Sequence, residues 1–289
     1  MTEVAIRAGQ PADKPTVAAI CAQCWDREDY VPLVWDEWLA DPHGRLVVAE
    51  RAGEVAGFGK LTLLAPGEWW LEGLRVDPAH RRQGLAGRLQ AFLIEEARRS
   101  GGGMLRYATP SYNEPVHRMA AGQGGRCVAV YQVYQAETLP SGDGSPLRRL
   151  SETDLEAAWG LIESSPRYRA GVGLYEVTWI WQPLTLDRLA HHLAEGDVWG
   201  LYDDGALAGL VLLSRSRSGR MLLVGCVDGV DEALAPLLLG VRGWTREVDH
   251  PDGVQLKWVH EPALAAAVEQ AGFERGYEHD IWIFELRLD

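Results

Sequence analysis

Six consecutive residues, Arg81, Arg82, Gln83, Gly84, Leu85 and Ala86, carry the most distinctive chemistry of this 289-residue chain. They lie just behind the apolar run Trp69-Trp70-Leu71-Glu72-Gly73-Leu74-Arg75-Val76. Asp77-Pro78 ends that run as a strand, because proline donates nothing to a ladder and biases the residue before it toward extended backbone. Helical spacing takes over from Gly84: Leu85, Leu89, Phe92 and Leu93 share one face, Arg88, Glu95, Glu96, Arg98 and Arg99 fall mainly on others, and Gly101-Gly102-Gly103 closes the helix. A helix N-terminus presents N–H groups that have no intrahelical acceptor, together with a partial positive charge, and glycine lets an anion approach that backbone closely. The pattern therefore suits a pyrophosphate. An ordinary strand-to-helix turn is the alternative, and it leaves the two arginines, the spaced glycine and the upstream Glu72 without a common reason.

The elements that must position these residues are bounded by composition. A hydrophobic content of 47% provides enough apolar material for one large or two medium domains. The net charge of -13 argues against a general nucleic-acid or anionic-membrane binder, since those partners need a basic surface. No apolar stretch nears the roughly 20 residues needed to span a bilayer, and Met1-Thr2-Glu3 has no signal-peptide character, so a cytoplasmic location is expected. Cysteines 21, 24, 127 and 226 form no disulfide framework. Cys21-Ala22-Gln23-Cys24 has the spacing of a redox or metal half-site, but no second pair follows, and no metal is expected. His191-His192 point in divergent directions on a helix and are read as solvated or locally hydrogen-bonded.

The cluster of proline, glycine and serine between Thr138 and Pro146 marks a boundary. It divides the chain into domains 1–137 and 147–289 with a linker at 138–146. In the first half we expect a strand at 3–8, helices at about 11–24 and 31–40, a hairpin at 45–49 and 55–59, and then the motif strand and helix. A strand at 104–109, a helix at 114–123 and a strand at 127–135 complete that half. The order recurs after the linker: Leu147-Arg148-Arg149-Leu150 and Asp154 echo Ile6-Arg7 and Asp13, and Glu261-Pro262 echoes Glu114-Pro115. The second copy lacks the anion motif, because Cys226-Val227-Asp228-Gly229-Val230-Asp231-Glu232 places carboxylates where a phosphate would sit. Its expected tasks are to shield a sheet edge, to fix dimer geometry or to wall an acceptor pocket. Trp179 and Trp181 could line that pocket, although tryptophans at such spacing more often fill a core.

The motif resembles the acetyl-coenzyme A signature of the GNAT N-acetyltransferase superfamily, with Arg81, Gly84 and Ala86 at its key positions behind Val76-Asp77-Pro78. This implies an α/β fold of two tandem GNAT-like domains, each a mixed, mostly antiparallel sheet flanked by helices, the second degenerate. It also implies acetyl-coenzyme A as cosubstrate. The backbone of Leu74, Arg75 and Val76 would take the pantetheine arm and acyl carbonyl. N–H groups from Arg82, Gln83, Gly84, Leu85, Ala86 and Gly87 would take the pyrophosphate. Asn113 matches an asparagine that contacts the cofactor arm in relatives, and it would equally serve as the N-cap of the following helix. Glu72 is the expected general base: an alkylammonium with pKa near ~10 must lose a proton before it attacks a thioester, and the apolar surround of Trp69, Trp70 and Leu71 would raise the carboxyl pKa. Its alternative is a sheet-edge salt bridge.

One departure concerns the general acid. Where many relatives carry a tyrosine that reprotonates the leaving thiolate, this chain has Ala120, which leaves water, Tyr112 or His117 to serve, or no acid at all. A longer resemblance over about residues 28–93, including Glu28-Asp29-Tyr30-Val31-Pro32 and Trp38-Leu39-Ala40-Asp41-Pro42, is similar to the histidine N-acetyltransferase-like branch. The expected acceptor is the primary amine of a small molecule, with amino acids first among the candidates, drawn by negative charge at Glu72 and at Asp29 or Asp36. The competing readings are a non-catalytic acyl-coenzyme A sensor and an acetyltransferase of protein N-termini or lysines. The chain is expected as a monomer or homodimer.

Overall fold

The strand and helix periods of the first half become β1 (Val4–Ala8), α1 (Lys14–Cys21), α2 (Val31–Ala40), β2 (Arg45–Arg51), β3 (Glu54–Ala65), β4 (Glu68–Val76), α3 (Leu85–Arg99), β5 (Gly103–Pro110) and α4 (Glu114–Gly122). The chain continues through β6 (Arg126–Ala136), β7 (Arg148–Arg149), α5 (Leu155–Ser164), α6 (Pro166–Ala170), β8 (Leu174–Val177), β9 (Ile180–Pro183) and α7 (Leu186–Glu195). It closes with β10 (Val198–Asp203), β11 (Ala206–Arg215), β12 (Met221–Gly229), α8 (Asp231–Gly243), β13 (Gly253–Val259), α9 (Pro262–Gln270), β14 (Glu274–Arg275) and β15 (Ile281–Leu288). This is a computed structural model, and it describes residues 4–24, 29–139, 146–243 and 252–289. Glu3 of the expected first strand, Glu28, and residues 140–145 of the expected linker lie outside the described residues.

The described chain forms two compact units. One is drawn from Met1–Tyr107, Glu114–Arg126 and Phe284–Asp289, the other from Ala108–Asn113 and Cys127–Ile283. In the first, β1 to β4 form an antiparallel meander. β5 then joins β4 in parallel, a change of direction that requires the crossover helix α3, and β15 follows β5 in the strand order. One core gathers Val17 and Ile20 of α1 and Trp35 and Trp38 of α2 against Val48 and Phe58 of the sheet. Leu85, Leu89 and Leu93 of α3 are buried, as their helical spacing predicts.

The second unit repeats this grammar. Strands β7, β10, β11 and β12 run antiparallel, β13 joins β12 in parallel through α8, and β6 pairs antiparallel with β13. A hairpin of β8 and β9 and the helix α7 are inserted before β10. The two copies exchange their last strands: β6, which follows α4 in sequence, falls almost wholly in the second unit, and Phe284–Asp289 at the end of the chain falls in the first. Each sheet is thus a mixed, mostly antiparallel α/β sheet with helices about it. Among the described residues no helix is long and apolar enough to cross a membrane.

Candidate functional site

The site of the first unit is built on an irregularity in β4. Its register with β3 pairs Phe58 with Arg75 and then Lys60 with Glu72, so that Gly59 alone faces both Gly73 and Leu74. This is a β-bulge, which bends the strand, breaks its ladder and re-aims its side chains. Gly73 takes φ +66°, a left-handed value, and a Cβ there would lie 2.6 Å from the Trp38 ring, so both backbone and packing demand glycine. On the other edge of β4 the parallel ladder to β5 ends at Trp70 opposite Arg106.

Glu72, half-buried, follows from this geometry. Thr62 Oγ1 donates to its Oε1 at 3.0 Å, and Tyr30 Oη donates to its Oε2 at 3.4 Å. Strand neighbours alternate between faces, so of the three buried apolar residues before it only Trp70 shares its face. The surround of the carboxylate is therefore more polar than the run Trp69-Trp70-Leu71 suggests. Lys60, fully buried, stands directly opposite on β3, but its ammonium turns to Asp41 and to the Leu61 carbonyl at 3.1 Å. Arg75 Nε donates to Asp29 Oδ2 at 2.7 Å, and the guanidinium lies 6.0 Å from the centre of the Tyr30 ring. Burial opposes the Arg75 charge, but Asp29 and Tyr30 outweigh it and push its pKa above the usual value. Asp29 is neutralised in this way and Asp36 pairs with Lys14, so the negative charge expected from them is already matched.

Beyond β4, the turn is shaped for close approach. Asp77 Oδ1 accepts from Ala79 N at 2.8 Å, and Arg81 braces the strand end by donating to the Val76 carbonyl at 3.3 Å and to Cys24 Sγ at 3.4 Å. Arg82 and Gly84 adopt left-handed φ values of +61° and +76°, and residues 81–84 are all exposed. Gly84 is the N-cap of α3 and offers no side-chain hydrogen bond to it; the helix ladder begins with Arg88 N donating to Gly84 O at 3.1 Å. The N–H groups of Leu85, Ala86 and Gly87 thus stand at the positive end of a 15-residue helix.

His117 sits on α4 with its ring 5.5 Å from that of Phe284, and Ala120 is fully buried on the same helix. Tyr112 and Asn113 belong to the second unit. There Tyr112 is 58% exposed with its ring edge-on to His279, and Asn113 Nδ2 donates to Thr109 Oγ1 at 2.9 Å. Both buried residues of the Cys21/Cys24 pair are free thiols, and burial pushes the Cys21 thiol up to about 12. Among the described residues no group of three or more His, Cys, Asp and Glu could hold a metal ion.

In the second unit the strand-to-helix turn from β12 to α8 is filled from within. The buried Arg167 donates to Asp228 Oδ1 at 3.0 Å, to Asp231 Oδ1 at 2.9 Å, to Glu261 Oε2 at 3.4 Å and to the Gly229 carbonyl at 2.5 Å. Nearby, the Glu176 carbonyl oxygen of β8 would lie 1.9 Å from a Cβ at Gly225 of β12, so the inserted hairpin packs hard on that strand. Trp181 is fully buried in a core with Tyr131, while Trp179 covers the Lys257 ammonium at 4.6 Å. His192 is locally hydrogen-bonded, between Tyr175 Oη at 2.8 Å and Asp197 Oδ2 at 3.1 Å.

Sequence reasoning singled out Glu72 but not Thr62, the partner that Glu72 shares with the neighbouring strand, nor a role for Tyr30. A lysine and a threonine inside the apolar strand Phe58-Gly59-Lys60-Leu61-Thr62 were the available signal.

The acetyltransferase (GNAT) family model matches residues 14–124. Histidine N-acetyltransferase of Oreochromis niloticus is 32% identical over 84 residues, covering 29% of this chain and 25% of that protein. The Xenopus tropicalis protein of the same name is 38% identical over 68 residues, covering 23% and 21%. The matched stretch spans about a quarter of the length of these relatives. A GCN5-related N-acetyltransferase from Sphaerobacter thermophilus shares the fold with TM-score 0.69 at 16% identity, covering 99% of this chain and 96% of that one. A tandem GNAT protein from the clavulanic acid biosynthesis pathway does so with TM-score 0.62 at 18% identity, covering 100% and 99%.

Proposed function

We propose, from the match of residues 14–124 to the GNAT acetyltransferase family model, that the protein moves an acetyl group from acetyl-coenzyme A to the primary amine of a small molecule, with amino acids as the first class of acceptor. The observation that carries this is Glu72, held by two hydroxyl donors at the bulge of β4, on the strand that runs directly into the α3 N-terminus. The fit of the cosubstrate rests on that N-terminus. Its N-cap glycine lacks a side-chain cap, its preceding residues are exposed, and the left-handed turn leaves nothing within 4 Å of a Cβ at Gly84. Backbone N–H groups from Arg82 to Gly87 would hold the pyrophosphate, and the β4 backbone at Leu74 to Val76 would hold the pantetheine arm.

In this reading the Glu72 carboxylate takes a proton from the acceptor ammonium, directly or through one water. The freed nitrogen lone pair attacks the thioester carbonyl carbon, the nitrogen gives up its surplus proton to water, the carbon–sulfur bond breaks, and coenzyme A leaves as its thiolate. The thiolate then takes a proton from water or from His117. The likeness to histidine N-acetyltransferases supports an amino-acid acceptor, and Glu72 supports a cationic one. The second unit is read as degenerate, since its own arginine occupies the turn that would face a phosphate.

The experiment is thiol release from acetyl-coenzyme A across a panel of amino acids, polyamines and peptides, with the parent and Glu72→Gln. Turnover with a free amine, lost by about 100-fold or more in Glu72→Gln at unchanged coenzyme A affinity, is the expected result. Buried Ala120 favours one rival, an acyl-coenzyme A sensor, which binds with no turnover in either form.

A further inference from the structure

Glu72 is gripped at both carboxylate oxygens, by donors from two separate elements. Thr62 reaches Oε1 from β3 at 3.0 Å, and Tyr30, just ahead of α2, reaches Oε2 at 3.4 Å. An ionised carboxylate has about four lone-pair sites, and these two bonds take one on each oxygen. Among the described residues, two charged pairs lie beside it: Lys60 of β3, opposite Glu72, with Asp41 after α2, and Arg75 of β4, beside the Tyr30 ring, with Asp29. The two hydroxyls are neutral donors. Deleting either one changes the setting of the carboxylate without adding or removing a charge.

We infer, resting on the reading of Glu72 as base, that Tyr30 and Thr62 are positioning residues that fix the Glu72 carboxylate toward the acceptor nitrogen and keep it in its proton-accepting form at lower pH. Donors to a carboxylate favour the anion, so their removal raises the pH at which it protonates. They also fix the direction of the carboxylate, because one bond comes from the neighbouring strand and the other from the helical layer. Tyr30 is itself set by the Trp38 ring, edge-on at 6.0 Å, and by the Arg75 guanidinium beside it. Trp38 in turn is the ring that rests against Gly73 of the bulge. Bulge, tyrosine and base are thereby coupled through a single tryptophan.

The test is the pH profile of kcat/KM for acetyl transfer in the parent, Thr62→Val, Tyr30→Phe, Thr62→Ser and Glu72→Gln, with acetyl-coenzyme A affinity measured for each. We expect the acid limb of Thr62→Val and of Tyr30→Phe to move up by roughly one pH unit, with kcat/KM below the limb about 10-fold lower. Acetyl-coenzyme A affinity stays at the parent value, and Thr62→Ser restores the parent profile. A residue that merely supports the fold would lower the plateau without moving the limb. Limbs that coincide with the parent in both variants, while Glu72→Gln is inactive, overturn this inference and leave the base intact. A fully active Glu72→Gln overturns the base itself. If Thr62→Val does not fold, Thr62→Ala and Tyr30→Phe carry the same measurement.

Discussion

Lys60 and Glu72 stand directly opposite each other on β3 and β4, yet the Lys60 ammonium turns to Asp41. Burial works against the Asp41 charge, but Lys60 and the N–H groups of His43 and Gly44 outweigh it and hold the carboxyl below the usual range. Because the folded-state value is depressed, the stability Asp41 contributes is present above its unfolded pKa of about 4 and is lost as pH falls through the lower folded value. Asp41→Asn leaves a buried ammonium with Glu72 as the carboxylate across the strand. We expect a loss of about 3 kcal/mol in denaturant melts at pH 7, shrinking below about pH 4, together with slower acetyl transfer as Lys60 competes for the base.

Gly73 and Gly84 both take left-handed φ, but they differ in what surrounds them. Alanine at Gly73 meets the Trp38 ring at 2.6 Å as well as the backbone penalty, and Trp38 is buried and cannot yield freely. Gly73→Ala should cost about 2 kcal/mol or more and lower kcat by displacing the bulge beneath Glu72. At Gly84 nothing lies within 4 Å of the new methyl. Gly84→Ala should cost only about 1 kcal/mol in a thermal melt, and its larger effect should be a raised KM for acetyl-coenzyme A.

The difference between what the sequence discloses and what it hides lies in the range of the interactions. Strand β4 and helix α3 follow from local rules, proline after Val76 and helical spacing from Leu85, and they sit within a residue or two of expectation. The repeat of the meander in the second half was equally readable, because the alternation recurs. The exchange of β6 and the chain's last strand was not, since nothing local to Tyr131 or Phe284 says which sheet each will complete. The site divides in the same way. Glu72 stands out on its own strand, but Thr62 and Tyr30 reach it from 10 and 42 residues away, and the pairing of Asp29 with Arg75 spans 46.

The β12 to α8 turn predicts the stoichiometry of cosubstrate binding. In the first unit the corresponding turn exposes residues 81–84 and an uncapped helix start. In the second, Arg167 brings Asp228, Asp231 and Glu261 together around one guanidinium. Calorimetry should therefore find one acetyl-coenzyme A per chain, and Gly84→Asp, which puts a carboxylate at the α3 N-terminus, should abolish that binding altogether. Replacing Arg167 should not open a second site, because what remains is three carboxylates that repel phosphate. Arg167→Met should instead cost about 3–5 kcal/mol at pH 7, as breaking a buried ion pair does. Like the loss in Asp41→Asn, this loss should shrink as pH falls, though by a different route. Carboxylates crowded without their cation hold protons more tightly in the folded state than in the unfolded one, so the stability of Arg167→Met relative to the parent should recover as pH is lowered toward 4–5. A second equivalent of acetyl-coenzyme A bound by Arg167→Met would show that the three carboxylates do not exclude phosphate, and a stability difference independent of pH would show that the guanidinium is not what holds them together.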